Sequence, residues 1–243
     1  DDNQKRSMDY STQNYLERIL HLKSSFTMSV KELIHNSFTV IPRRMDKERV
    51  EEAAELMQEI LQGEYVNQNG EERLQIADDK YIKINFTSSG QQEVLWILNV
   101  LFFHLLNKKN AYFIIEEPES HLFPNAQKLI AEFISLVYGA GENRMFITTH
   151  SPYILGSFNN ILYADKISSV VGRRELEEII PWNRWLPFSK TDALFIEDGK
   201  INSCMDMEFK SIENEVIDGA SEDINSIYDK MVMLKKRYSK REE

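Results

Sequence analysis

Residues 84–162 read INFTSSGQQEVLWILNVLFFHLLNKKNAYFIIEEPESHLFPNAQKLIAEFISLVYGAGENRMFITTHSPYILGSFNNIL, and this stretch decides the fold. Three polar stations interrupt its apolar runs. Ser88-Ser89-Gly90-Gln91-Gln92 precedes the run from Val94 to Leu106, Glu116-Glu117-Pro118 ends the run from Ala111 to Ile115, and Thr149-His150-Ser151-Pro152 ends the run that begins at Met145. Ser89 and Gln92 have the spacing of a capping box, which predicts a helix opening there. A helix start also attracts anions, because its first amides lack acceptors, and Gly90 lets the backbone approach a phosphate closely. Taken alone, the stretch is weak evidence for a phosphate site, and a well-started helix is the plainer reading.

The apolar residues Ala111–Ile115 fit a buried parallel strand. Ligands collect at the carboxyl ends of such strands. Glu116 and Glu117, adjacent in an extended chain, are expected to face opposite sides, one towards a bound Mg²⁺ and the other towards an attacking water. The plainer alternative is a polar strand end before a turn. The run from Met145 to Thr149 carries His150 to its own strand end, beside Glu117 if the two strands are neighbours. Between them, Pro124 marks a helix start and Gly139 its end, with Ala126, Leu129, Ile130, Phe133 and Val137 as the buried stripe. Strand, helix and strand across 112–149 make a βαβ unit with a right-handed crossover, and hence a parallel sheet. The next strand is expected at Asn160–Tyr163, after a helical stretch from Tyr153 to Phe158.

Composition narrows the classes. With 243 residues, 42% of them apolar, the chain can bury a sizeable core. One cysteine, Cys204, excludes a disulfide scaffold and a four-cysteine zinc site and fits a reducing cytoplasm. The run Val94–Leu106 carries Asn99 and His104 and is shorter than the ~20 residues of a membrane span, so no membrane role is expected. A net charge of −10 argues against a surface that is a nucleic-acid platform throughout. No His-Glu-x-x-His and no Gly-x-Ser-x-Gly occurs. Asp206 and Glu208 suggest an acidic surface turn in preference to a metal-nuclease acid pair.

Upstream, residues 1–62 read as helical. Tyr15, Ile19, Leu20 and Leu22 fit one amphipathic helix, Val30, Leu33 and Ile34 a short second, and Val50, Ala53, Ala54, Met57, Ile60 and Leu61 a third, with Pro42 as the break. Arg43, Arg44, Lys47 and Arg49 cluster at the third helix's start, where the helix dipole disfavours cations, so the cluster is either solvated or a partner or nucleic-acid patch. From Gly63 to Asn85, short alternating runs around Asn69-Gly70 predict an antiparallel meander. Downstream, Trp182 and Trp185 beside Pro181 and Pro187 suggest a packed loop, and Ala193–Ile201 a hairpin around Asp198-Gly199. Seven acids between Asp206 and Asp223 are followed by six basic residues between Asp229 and Glu243, either a partner contact or a solvated chain end. The segments are therefore 1–62 (helical), 63–167 (site-bearing) and 168–243 (hairpin and helical tail).

The three stations together resemble the carboxyl-terminal half of an ABC-class ATPase head. Ser89-Gly90-Gln91-Gln92 resembles the signature motif, Phe113–Glu117 the Walker B strand, Glu119–Phe123 the D-loop region and His150 the switch histidine. The wording SSGQQ, IEEPE-x-HL-x-P and TTHSP is similar to that of bacterial SMC/OLD-like ATPases and of the ATPase subunits of antiphage systems such as Septu and PARIS. Two departures set the chain apart from transporters: Gly90-Gln91 stands where transporters have two glycines, and Glu116 where Asp is commoner. The implied fold is α/β, an ABC head lobe with a mostly parallel sheet flanked by helices, plus the helical amino-terminal segment and the meander.

The resemblance implies ATP and Mg²⁺ at a site shared between two protomers. Ser88, Ser89, Gly90, Gln91 and Gln92 would bind the nucleotide on the opposite protomer. Glu117 would polarise water, Glu116 hold Mg²⁺, His150 steady the γ-phosphate, and Ser120 and His121, with Glu119, communicate across the dimer. No Gly-x-x-x-x-Gly-Lys-Ser/Thr occurs in the sequence, so half the phosphate cradle is missing. The resemblance places that Walker A loop in an upstream lobe, and the chain reads as the carboxyl-terminal portion of a longer polypeptide or as one half of a split gene, inactive alone. Three functions follow: sensor and scaffold of an antiphage complex that controls an effector nuclease or toxin in response to DNA or a phage protein; an SMC-like repair ATPase; or a non-hydrolysing assembly protein.

Overall fold

Residues 9–40, 46–108, 110–213, 219 and 225–233 are described by the computed structural model. Helix α1 (Tyr10–Ser25) is started by Asp9, whose carboxylate accepts from the Thr12 amide, and it buries Ile19 and Leu22. Leu20, expected on the same stripe, is 57% exposed, and the Tyr15 side chain lies outside the described residues. Helix α2 (Val30–Val40) buries Val30 and Ile34. Helix α3 (Lys47–Leu61) starts on Asp46 and buries Val50, Ala53, Leu56, Met57, Ile60 and Leu61, close to the expected stripe.

Arg49 is not part of a surface patch. It is buried, its Nη1 donates to the Leu136 and Asn183 carbonyls at 2.8 Å each, and its guanidinium lies over the Trp182 ring. Lys47 pairs with Glu51 on the helix surface, and Arg43 and Arg44 lie outside the described residues. The packed tryptophan loop explains the arginine: Arg49, with the bonds from Arg184 to Glu52 and Glu132, fastens that loop to the helical core.

The meander forms as the Asn-Gly turn requires. Strand β1 (Glu64–Gln68) pairs antiparallel with β2 (Glu71–Ala77), and β2 with β3 (Lys80–Lys83), with Asn69 and Gly70 both at positive φ in the first turn. Tyr65 is fully buried and donates to Glu72 at 2.8 Å. Burial and that carboxylate push its phenol far above the ordinary tyrosine range. A single 3₁₀ turn, Ile84–Phe86, leads from the meander into helix α4 (Ser89–Asn107).

Helix α4 buries Val94, Leu95, Leu98, Leu101, Phe102, Leu105 and Leu106, each contributing about 1.5–3 kcal/mol of transfer free energy. Strand β4 (Tyr112–Glu116) pairs parallel with β5 (Arg144–Thr148), from Tyr112↔Arg144 to Glu116↔Thr148. Between them runs α5 (Pro124–Tyr138), with Pro124 in its first turn and Gly139 at its cap, buried all round from Ile130 to Val137. The βαβ unit expected from the sequence is present, and the chain is α/β.

Two expectations fail here. Strand β4 is not buried on both faces: Phe113 and Ile115 enter the core, whereas Tyr112 and Ile114 are 62% and 64% exposed, because among the described residues only β5 pairs with it. Residues 160–163 are not a strand. One continuous helix, α6 (Pro152–Val171), spans them, because Ile154, Phe158, Ile161 and Leu162 fall at helical spacing on its buried face and no breaker intervenes. Asn159 exchanges two bonds with the Ile212 backbone, fixing the helix against the segment beyond the hairpin.

After a short helix α7 (Arg173–Glu177), β6 (Leu194–Glu197) and β7 (Lys200–Ser203) form the expected hairpin, with Asp198 and Gly199 at positive φ. Strand β8 (Met205–Asp206) pairs with β9 (Ser211–Ile212), and residues 225–233 are helical. Asp206 accepts from the Glu208 and Phe209 amides, which makes the turn expected there. Most of the acidic and basic tail lies outside the described residues. No helix among them is long and apolar enough to cross a membrane.

Candidate functional site

The amino end of α4 is capped one residue earlier than its spacing suggested. Ser88, not Ser89, is the N-cap: its hydroxyl accepts from the Gln91 amide, and Gln91 Oε1 accepts from the Ser88 amide at 3.1 Å. Both Ser88/Gln91 and Ser89/Gln92 satisfy the capping-box pattern, and tertiary contacts choose between them. Gln91 Nε2 donates to the Leu61 carbonyl at the end of α3, and Gln92 Nε2 to the Thr87 carbonyl. Both glutamine side chains are thus committed to the protein's own backbone. Ser89 remains exposed, and its amide and that of Gly90, the first two of the helix, have no intrahelical acceptor.

Gly90 is buried against the turn that follows β4. A methyl group there would stand 2.4 Å from the His121 carbonyl oxygen, closer than any real contact allows. The close approach that a glycine permits is therefore made to the protein's own turn. His121 Nδ1 lies 3.1 Å from Glu93 Oε2, a second link between the helix and the turn.

That turn carries the acids. Glu116 ends β4 opposite Thr148, on the exposed face it shares with Tyr112 and Ile114. Strand alternation then stops, because Glu117 has a left-handed φ of 42°; His121, four residues on, has 57°. Non-glycine residues adopt this conformation at a cost of about 1–2 kcal/mol, so the surroundings must hold it. The Glu117 amide donates to the Thr148 carbonyl at 3.0 Å and to its hydroxyl at 3.3 Å, and the Ser120 hydroxyl donates to Glu117 Oε2 at 3.4 Å. Glu117 Oε1 lies 3.3 Å from His150 Nε2, with the imidazole 86% exposed. The expected neighbouring of Glu117 and His150 is present.

Sequence reasoning grouped Glu119 with Ser120 and His121, but the three differ. Ser120 is half-buried and His121 exposed, whereas Glu119 turns inward at 9% exposure. Its Oε1 accepts from the Thr149 hydroxyl at 2.6 Å and from the His150 amide at 2.8 Å. Its partners lie 30 and 31 residues away, so no local spacing marks the link. Ser151, the N-cap of α6, donates to Gln127 Oε1, and Gln127 Nε2 donates to the Leu122 carbonyl, closing the loop from the other side.

No cluster of three metal-binding side chains exists among the described residues. Two exposed carboxylates at a strand end suit Mg²⁺, an ion that takes one or two carboxylates and completes its shell with phosphate and water. The free helix-start amides suit a phosphate.

Residues 1–155 match the family described as AAA ATPase domain. The match spans more than half of the 243 residues, and the chain belongs to that family. Its class is thus that of an ATPase domain. A search of the curated proteins found no match. Similar solved structures include one reported under ATP-driven dimerization and DNA-stimulated activation of SMC ATPases, with 12% identity over 74% of this chain and 92% of that one and a TM-score of 0.39. Another is an SMC head bound to the C-winged helix domain of ScpA, with 14% identity over 56% of this chain and 47% of that one and a TM-score of 0.36.

Proposed function

We propose that this chain supplies the signature, Walker B and switch-histidine parts of an ATP-hydrolysing site completed by a second protomer. The observation that carries the reading is the Glu117–His150 pair at 3.3 Å, with Glu117 on the turn that abuts the amino end of α4 at Gly90. A carboxylate and an imidazole in contact at adjacent strand ends can orient a water and accept its proton. The Ser89 and Gly90 amides offer a separate anion site, directed at the nucleotide of the opposing protomer. Phosphoryl transfer depends on positioning and charge neutralisation, so groups from two surfaces must converge and ATP acts as a clamp between them. Glu116, with Glu117 nearby, would hold Mg²⁺, which neutralises phosphate charge when bound. The Walker A loop, absent from this sequence, comes from a different segment or chain.

The finer role is the sensor and scaffold subunit of a cytoplasmic antiphage complex that restrains an effector nuclease or toxin until DNA or a phage protein triggers it. The motif wording from Ser88 to Pro152 supports it. In the full-length native protein, Glu117→Gln is expected to reduce phosphate release by about 10²- to 10⁴-fold, the usual contribution of a general base, while ATP-dependent self-association persists. Unchanged turnover in that variant would remove Glu117 from the role. Copurification with a nuclease or toxin supports the antiphage role; DNA-stimulated turnover with no such partner supports an SMC-like repair role instead.

A further inference from the structure

Glu119 is a buried carboxylate with no role in the reaction just described, and its second oxygen, Oε2, is buried without a hydrogen-bond partner among the described residues. A half-satisfied buried carboxylate is costly, so its retained bonds must matter to the local arrangement. Those bonds reach one place only, the Thr149 hydroxyl and the His150 amide, the two residues where β5 ends and the imidazole is delivered. The imidazole itself is 86% exposed, and among the described residues its ring nitrogen meets Glu117. Its position is therefore set through its backbone.

We infer that Glu119 is a positioning residue for His150: it ties the end of β5 to the Glu117–His121 turn, so that imidazole, carboxylate and the turn abutting Gly90 move as one unit. The turn touches α4 through Gly90 and through His121–Glu93, so a displacement at the helix start is transmitted to the Glu117–His150 pair. Thr149 extends the tie, since its hydroxyl donates to Glu119 and accepts from the Ser151 amide at the start of α6.

This inference rests on the proposed hydrolytic site, and its test separates the two. In the full-length native protein, Glu119→Ala removes both acceptor bonds, whereas Glu119→Gln keeps an oxygen able to accept both. Glu119→Ala is expected to lower kcat by about 10- to 100-fold with little change in the KM for ATP, as a displaced catalytic group does. Glu119→Gln restores kcat to within about threefold, a neutral acceptor replacing a charged one. Independently of turnover, the His150 ring resonances of the chain, followed by NMR at one fixed pH, should stay near wild type in Glu119→Gln and move well away in Glu119→Ala. The inference is overturned by a Glu119→Ala protein with wild-type ring resonances, or by a Glu119→Gln protein as impaired as Glu119→Ala. An inactive wild type whose His150 resonances still respond as stated would remove the hydrolytic reading and leave the positioning role in place.

Discussion

The two halves of the candidate site are held by opposite means. The capping of α4 is made mostly between neighbours in sequence: Ser88 caps Gln91, Gln91 returns the bond, and Gln92 bonds Thr87, with one long-range tie from Gln91 to the Leu61 carbonyl. The acid–histidine half is built from residues 24 to 31 positions apart, with Glu117 on Thr148, Glu119 on Thr149 and His150, and Ser151 on Gln127. A locally capped half can form with its helix; the other exists only once β4 and β5 have paired in register. Removing a local cap should therefore act mainly on stability, whereas damage to the acid–histidine half should act mainly on catalysis.

The sharpest break in that comparison is Glu117→Gln, expected to abolish turnover by about 10²-fold or more while the melting temperature stays near wild type, measured by phosphate release and calorimetry on one sample. Gly90→Ala crosses the divide, because the added methyl meets the His121 carbonyl at 2.4 Å. It should destabilise by about 1–3 kcal/mol, as overpacking does, and lower turnover as well by moving the turn. Ser88→Ala, which removes the local cap, should cost about 1 kcal/mol of stability by denaturant titration and lower turnover less than Glu117→Gln does.

The smallest expected effect lies outside both halves. Lys83 first, and then Arg73, hold the half-buried Glu71 carboxyl on the meander below its ordinary value. A group lowered in the folded state stabilises above its unfolded value and loses that contribution as pH falls through the folded one. Glu71→Gln should thus slightly flatten the loss of melting temperature below about pH 4.5, an effect that salt screens away.

The same contrast explains what could be read in advance. Local patterns carried most of the elements: the Asn69-Gly70 turn, the stripe of α3, Pro124 and Gly139 bounding α5, and the apolar runs of β4 and β5. The contact of Glu117 with His150 was also legible, since parallel pairing of two strand ends suffices to predict it. Where two local solutions were equivalent, as with Ser88 and Ser89 as cap, a tertiary bond to Leu61 decided. Where Asn160–Tyr163 looked strand-like, the helical spacing that continues from Ile154 through Leu162 prevailed, and Asn159 found a partner in Ile212 that no spacing announces. Arg49 was misread for the same reason, its acceptors Leu136 and Asn183 lying 87 and 134 residues away.

A mixing experiment tests the composite site most directly. Ser89→Arg places a bulky side chain at the exposed start of α4, and Glu117→Gln disables the acid. Each full-length variant alone should be inactive, because every site in its dimer carries the defect. Mixed in equal amounts, the two form some dimers in which one site receives an intact Ser89 from one protomer and an intact Glu117 from the other. Phosphate release should then rise clearly above that of either variant alone. A mixture no more active than its components would contradict a site shared between protomers.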